Sequence, residues 1–158
     1  MGGLVTSISK EFVADCSSIV HFTLSSSRAL VLFIDGPVGK ICIVNAHIAP
    51  NGDDSNKYED LIAIKKVISK DTAFVAGDFN FPATDDGRLL LETGESSNSQ
   101  ARLAMKFDNL FSDMTELAQI DFTRRQVQEG RIISLSRIDR IYSNLPTPIL
   151  SEHRPSGS

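Results

Sequence analysis

The chain has 158 residues, of which 41% are hydrophobic and 23% charged, and its formal net charge is −4. This balance predicts one folded domain over residues 1–158 and excludes a disordered chain, and no apolar run is long enough for a membrane helix. Cys16 and Cys42, with three histidines and no CxxC spacing, exclude a structural zinc site. Because no secretory leader is visible, we expect a reduced intracellular protein, nuclear or cytoplasmic.

Apolar runs in the first third of the chain predict strands. Runs over residues 29–34 and 41–44 flank a segment rich in glycine and proline, so we expect an antiparallel hairpin. A third strand is predicted over residues 18–24, and a weaker fourth over residues 4–8. The sheet is therefore expected to begin with antiparallel strands.

The middle of the chain alternates helix and strand. Apolar residues near a 3.6-residue period predict a helix over residues 56–70, and Asn56 followed by Glu59 resembles a capping box. The run 72–76 predicts a strand buried on both faces. A glycine interrupts this run, so Asp78 is expected to lie where the strand emerges.

The last third begins with a polar loop, expected over residues 85–100. A second amphipathic helix is predicted from the apolar positions Leu103, Phe107, Leu110, Phe111, Met114 and Leu117. Residues 132–142 have an extended pattern. From Asp121 onward all six cations are arginines, against four acidic residues, and arginine suits bidentate phosphate contacts. This stretch indicates either a local polyanion contact or a solvated strand face.

Catalytic side-chain types occur in four short segments, each at a predicted strand end or in the following loop. These are Asn45-Ala46-His47, Gly77-Asp78-Phe79-Asn80, Ser136-Arg137-Ile138-Asp139 and Ser151-Glu152-His153-Arg154-Pro155. Asp78 and Asn80 share one face of an extended segment, so their oxygens can converge on a hard cation or a water. Alternation also places Asp139 beside Arg137 and Ile141, which requires a partner for its carboxylate. His47 alone is more often structural, but the four segments together favour one site.

In this order the segments resemble the endonuclease/exonuclease/phosphatase superfamily. It groups deoxyribonuclease I-like nucleases, apurinic-site and retrotransposon endonucleases, sphingomyelinases and inositol polyphosphate phosphatases. The segments are similar to its Asn-x-His, Gly-Asp-Phe-Asn, Arg-Ile-Asp and Ser-Asp-His-x-Pro motifs, with Glu152 in place of the last aspartate. The arginine-rich stretch and the sequence around Asn45 favour the nuclease or retroelement-type members.

The resemblance implies an α/β fold, a two-sheet α/β sandwich of the deoxyribonuclease I-like type. It covers the C-terminal portion of that domain, so an incomplete domain is expected. The N-terminal strands, which carry an asparagine and a metal-anchoring glutamate in the family, and the final strand are expected to lie outside this chain.

The resemblance also implies roles for the site residues. Asp78 would orient or deprotonate the attacking water, and Asn80 would hold that water and the phosphate. Asp139 would fix the tautomer of His153, which would contact the phosphate. His47 would contact the phosphate or assist the leaving group.

The implied activity is divalent-metal-dependent hydrolysis of phosphodiester bonds, with nucleic acid as the favoured partner and no membrane. Glu152 and Asp78 would bind Mg²⁺ or Mn²⁺, because their ligands are oxygens. Asn45, Arg137 and Arg154 would bind the substrate phosphate. Two alternatives stay open: a non-catalytic remnant of such a domain, and a phosphatase that acts on phosphoinositide or phospholipid headgroups.

Overall fold

The computed structural model describes residues 4–24, 28–51, 53–68, 71–82, 88–91, 101–117 and 121–146. These residues form a six-stranded mixed sheet, a three-stranded antiparallel sheet and helices, so the expected α/β class with two sheets is confirmed. Within these ranges, no helix combines the length and apolar character needed to cross a membrane. Cys16 and Cys42 are free thiols.

The elements can be given in chain order. They are α1 (Lys10–Ala14), β1 (Ser18–Thr23), β2 (Ala29–Gly36), β3 (Gly39–His47), α2 (Asp54–Val67), β4 (Thr72–Asp78), β5 (Arg88–Leu90), α3 (Ala101–Leu110), β6 (Thr115–Glu116), β7 (Arg124–Gln128), β8 (Arg131–Ser136) and β9 (Asp139–Ser143).

The large sheet has the strand order β1-β2-β3-β4-β9-β6. β2 and β3 form the predicted antiparallel hairpin, and β1 is the predicted third strand. β3 and β4 are parallel, because α2 crosses over between them, whereas β9 runs antiparallel to β4. The carboxyl ends of β3 and β4 therefore lie at the same edge of the sheet as the start of β9.

One face of the large sheet is covered by α2 and α3. Alternate strand residues such as Val31, Val44 and Val75 are fully buried there. Leu61 of α2 and Leu103 of α3 pack against them in the same cluster. Burial of this face accounts for the periodicity that predicted both helices.

Aromatic side chains extend this core toward the end of the sheet where β4 stops. The Phe79 ring packs edge-on against Phe81, Phe107 and Tyr142, with centroids 6.2, 5.5 and 5.6 Å away. Phe107 stacks on Phe111 at 4.6 Å. The residue that directly follows Asp78 is thus anchored in the core.

The observed ends of α2 differ from the predicted ones. The helix begins at Asp54, and the Asp53 side chain accepts a hydrogen bond from the Asn56 amide at 2.8 Å. The expected capping box at Asn56 and Glu59 is therefore wrong, because the carboxylate three residues earlier already satisfies this amide. The helix ends at Val67, short of the predicted residue 70.

The observed α3 is shorter than the apolar periodicity predicted. It ends at Leu110, and β6 follows, pairing with β9 along the sheet edge. Met114 still packs against the core, which explains why the pattern continued beyond the helix. The prediction of helix as far as Leu117 is wrong, because hydrogen bonding to β9 replaces helical pairing.

Several strand predictions need correction. Residues 4–8 form no strand. β4 is buried on one face only, since alternate residues on its other face are half-buried. The predicted loop 85–100 contains β5 and the turn residue Leu91, and its other residues lie outside the described part of the chain. Residues 132–142 are not one continuous strand, because strand structure is interrupted at Arg137 and Ile138 between β8 and β9.

Candidate active site

Three predicted site residues lie side by side at one edge of the large sheet, which we call the site edge. His47 ends β3 and is paired in register with Asp78, which ends β4. Asp78 is paired in turn with Asp139, the first residue of β9. Directly paired residues point to the same face, with Cα atoms about 5 Å apart. The fold therefore brings an imidazole and two carboxylates together from three separate segments.

Gly77 allows β4 to approach β3 immediately before Asp78. Its φ is 142°, and a Cβ at this position would overlap the Ala46 carbonyl. Only glycine adopts this backbone without strain and leaves room for the neighbouring strand. The Gly-Asp pair thus sets the close approach of His47 and Asp78.

Asn80 is held in a turn rather than in an extended strand. Its φ is 53°, in the left-handed region that asparagine tolerates better than most residues. The Asn80 amide donates to Asp78 Oδ1 at 2.9 Å, and its Nδ2 donates to the Ile48 carbonyl at 2.8 Å. The expectation that alternation along an extended segment would bring Asp78 and Asn80 together is wrong, because this turn joins them.

The electrostatic surroundings of Asp78 oppose and favour its charge at the same time. Burial raises the pKa of Asp78 above its ordinary value, and the facing Asp139 carboxylate adds to this. The Asn80 amide, His47 and Arg124 act in the other direction. Two carboxylates face one another here, and the surrounding positive groups partly compensate their repulsion.

Thr123 positions the start of β9, and nothing in the sequence singled it out. Its hydroxyl accepts hydrogen bonds from the Ile138 and Asp139 amides, both at 3.1 Å. Thr123 directly precedes β7, so the hairpin of β7 and β8 is tied at its base to the site edge. Arg124, the next residue, is close enough to affect the pKa of Asp78.

Two of the predicted phosphate-binding residues already have intramolecular partners. Asn45 Nδ2 donates to the Val5 carbonyl at 2.9 Å and to Thr6 Oγ1 at 3.2 Å, two positions before the end of β3. Arg137 Nε lies 3.6 Å from Glu116 Oε1. Phosphate binding by Asn45 and Arg137 stays a prediction, and it competes with these contacts.

The remaining predicted site residues, Glu152, His153 and Arg154, lie outside the described residues. The pairing of Asp139 with His153 and metal binding by Glu152 therefore stay predictions. Within the described ranges, no group of three or more His, Cys, Asp or Glu side chains could hold a metal ion. Asp78 and Asp139 do present carboxylate oxygens, the ligand type that a hard cation prefers.

Comparison with known proteins gives matches among solved structures. No protein-family profile and no curated protein sequence matches the chain. The endonuclease domain of TRAS1, a telomere-specific non-LTR retrotransposon, matches with a TM-score of 0.57 at 15% identity over 78% of this chain. An AP endonuclease from Archaeoglobus fulgidus matches with a TM-score of 0.57 at 12% identity over 86% of the chain. The inositol polyphosphate 5-phosphatase domain of SPsynaptojanin matches with a TM-score of 0.55 at 14% identity over 85%.

The chain shares the fold of these three structures, as the resemblance to the endonuclease/exonuclease/phosphatase superfamily predicted. It spans 55%, 60% and 48% of the retrotransposon, AP endonuclease and phosphatase structures, about half of each. Structures from both nucleases and a phosphatase match almost equally well. These matches show a shared fold, and a fold by itself determines neither the reaction nor the substrate.

Proposed function

We propose that this chain carries part of the active site of a divalent-metal-dependent phosphodiesterase that hydrolyses nucleic acid. The observation that carries the proposal is the alignment of His47, Asp78 and Asp139 on three adjacent strands at the site edge. A fold whose matched members are nucleases and phosphatases supports the same chemistry. Hydrolysis of a phosphodiester needs a positioned base and groups that neutralise charge on the phosphate.

Asp78 is the proposed base. Ionised Asp78 accepts a proton from water as the water oxygen attacks phosphorus. The leaving oxygen departs with the electron pair of the broken P–O bond and takes up a proton from solvent, and Asp78 then releases its proton to solvent. Asn80, held against Asp78 and Ile48, positions the water and the phosphate. His47 contacts the phosphate or assists the leaving oxygen, and Asp139 orients His153.

Mg²⁺ or Mn²⁺ is the proposed cofactor. Asp78 and Glu152 would hold it, since carboxylate oxygens suit a hard cation and the facing Asp78 and Asp139 carboxylates favour a nearby positive charge. When bound, such a cation neutralises the negative charge that develops on the phosphate oxygens.

Nucleic acid is favoured over a lipid or inositol headgroup by the hairpin of β7 and β8. Arg124, Arg125 and Arg131 are exposed on it, and Thr123 ties its base to the site edge. A hairpin with exposed arginines beside the site edge suits a substrate with several phosphates in a row.

Cleavage of plasmid and abasic DNA in Mg²⁺ tests this proposal. We expect the wild type to cleave at least one of them, and Asp78→Asn and Asp139→Asn to reduce the rate by about 100-fold or more, as for loss of a catalytic acid or base. Asp35→Asn, a carboxylate at the opposite end of β2, is the matched control and should retain the wild-type rate. Equal background cleavage by all four proteins would contradict the proposal.

Two further outcomes identify the alternatives. Release of inorganic phosphate from inositol phosphates, without cleavage of any nucleic acid, would assign the chain to the phosphatase branch. No hydrolysis of either substrate, together with no heat of Mg²⁺ binding in calorimetry, would identify a non-catalytic remnant.

A further inference from the structure

A buried arginine lies directly behind the site edge. Arg140 follows Asp139 in β9 and is paired with Gly77 in β4. Because strand side chains alternate, Arg140 points away from Asp139, into the face of the sheet that α2 and α3 cover. Only 1% of its surface is exposed.

The Arg140 guanidinium binds two separate acceptors. Its Nη2 donates to the Phe81 carbonyl at 3.0 Å, and its Nη1 donates to the Tyr142 hydroxyl at 2.9 Å. The guanidinium carbon also lies 4.6 Å from the centre of the Phe79 ring and 4.8 Å from that of Phe81. Arg140 therefore connects β9 to the turn formed by residues 79–81, which we call the 79–81 turn.

A contribution to the stability of the fold is by itself a poor explanation for burying the charge of Arg140. Burial lowers the pKa of Arg140, and within the described residues its Nε has no hydrogen-bond partner. The Glu116 carboxylate is linked to the guanidinium through the Tyr142 hydroxyl, which accepts from Arg140 and donates to Glu116 Oε2 at 3.1 Å. Taking a charge out of water costs free energy that its contacts must repay, so a buried cation is weak evidence for a purely stabilising role.

The 79–81 turn needs to be held from both sides. Asn80 occupies the left-handed region, and Asp78 precedes it at the end of β4. The Phe79 amide donates to the Ile138 carbonyl at 2.9 Å on one side, and the Phe81 carbonyl accepts from Arg140 on the other. Both anchors belong to the segment that also presents Asp139.

We propose that Arg140 is a positioning residue, which holds the 79–81 turn so that Asn80 and Asp78 keep the geometry needed for hydrolysis. This inference rests on the proposed function for its catalytic consequence. Its structural part, the fixing of Asn80, can be measured separately. The rigid fork of a guanidinium serves two acceptors in fixed directions, whereas the single ammonium of lysine does not.

The experiment compares Arg140→Met, Arg140→Lys and the control Leu103→Ala, which opens a cavity in the same core. For both Arg140 variants we expect kcat to fall about 10-fold to 100-fold, with KM within about twofold, because the substrate still binds while the reacting groups are misplaced. Amide hydrogen exchange at Asn80 should become at least about tenfold faster, with unchanged protection at Val75 in the middle of β4. Arg140→Met should be no less stable to heat than Leu103→Ala.

Two results would overturn the inference: wild-type kcat and wild-type Asn80 exchange in Arg140→Met, or the same changes in Leu103→Ala. If the wild-type protein hydrolyses none of the substrates, the proposed function fails. The exchange rate of the Asn80 amide then decides the positioning role by itself, since faster exchange in Arg140→Met supports it and an unchanged rate overturns it.

Discussion

Asp78 shows how one residue depends on its immediate neighbours. Gly77 allows β4 to lie against the Ala46 carbonyl, and Asn80 returns its amide to the carboxylate. The motif Gly-Asp-Phe-Asn predicted that Asp78 would emerge at a strand end. It did not predict the turn at Asn80, because a positive φ follows from hydrogen bonds to Asp78 and to the distant Ile48.

Asp78→Asn is expected to stabilise the protein at neutral pH. Burial raises the pKa of Asp78, so the folded protein binds a proton here more tightly than the unfolded chain does. Ionisation of Asp78 therefore lowers the free energy of unfolding as the pH rises from the ordinary pKa of 3.8 through the raised value. Asparagine avoids this loss and keeps an acceptor oxygen for the Asn80 amide.

Urea unfolding across a pH series measures this effect. The increase in the free energy of unfolding of Asp78→Asn over the wild type should reach its full size at pH values above the raised pKa. It should shrink toward zero below the ordinary pKa, where the carboxyl is protonated in both states. A gain that does not change with pH, or a less stable variant at neutral pH, would contradict the expectation. Asp35→Asn serves as the control.

Among the strands, β7 was the hardest to anticipate, although its partner β8 lies almost wholly within the extended pattern predicted over residues 132–142. β7 reads Arg-Arg-Gln-Val-Gln and all five of its residues are exposed, so it has no apolar alternation to detect. The feature of the sequence available to indicate a hairpin was the Glu129-Gly130 pair, which forms the turn with φ of 50° and 76°. Patterns that arise from burial predict strands that pack on a core and fail for a strand whose residues are all exposed, such as β7.

The double variant Arg124→Ser/Arg125→Ser is expected to bind nucleic acid more weakly than the wild type, and its affinity should depend less on salt concentration. Each arginine that contacts a phosphate releases counterions, so the slope of log K against log salt should become shallower by about 1 to 2. Fluorescence anisotropy with labelled DNA at several salt concentrations measures this. Lys40→Ser, which removes an exposed cation at the far end of β3, should leave the slope unchanged. An unaltered slope in the double variant would show that the hairpin is not part of the nucleic-acid binding surface.

For the whole molecule, the site depends on one continuous core. Phe79 follows a site residue directly and packs on Phe107 of α3, whereas Tyr142 connects the same cluster to β9. Helix, sheet and site edge are therefore expected to lose structure together rather than separately.

Phe107→Ala is expected to reduce the free energy of unfolding by about 3 to 5 kcal/mol, the usual cost of an aromatic deletion in a packed core. Phe107 is 1% exposed, whereas Met105 on the same helix is 62% exposed. Met105→Ala should therefore change stability by less than about 0.5 kcal/mol. Chemical denaturation of the three proteins tests the contrast, and a loss below about 1 kcal/mol for Phe107→Ala would show that α3 is not part of the central core.

The sequence alone predicted alternating strands and helices and the antiparallel start of the sheet, whereas the two-sheet fold and the site residues were predicted from the resemblance of four motifs to a known superfamily. The strands and helices follow from local patterns, since alternation and helical periodicity record which side of each element is apolar. The tertiary structure decided that His47, Asp78 and Asp139 meet at one edge, and that Arg140 rather than an apolar residue fills the space behind them. Strand pairing joins β4 to β9 across about 60 residues, and the buried Arg140 binds the Phe81 carbonyl at a similar distance along the chain, so neither leaves a periodic trace in the sequence.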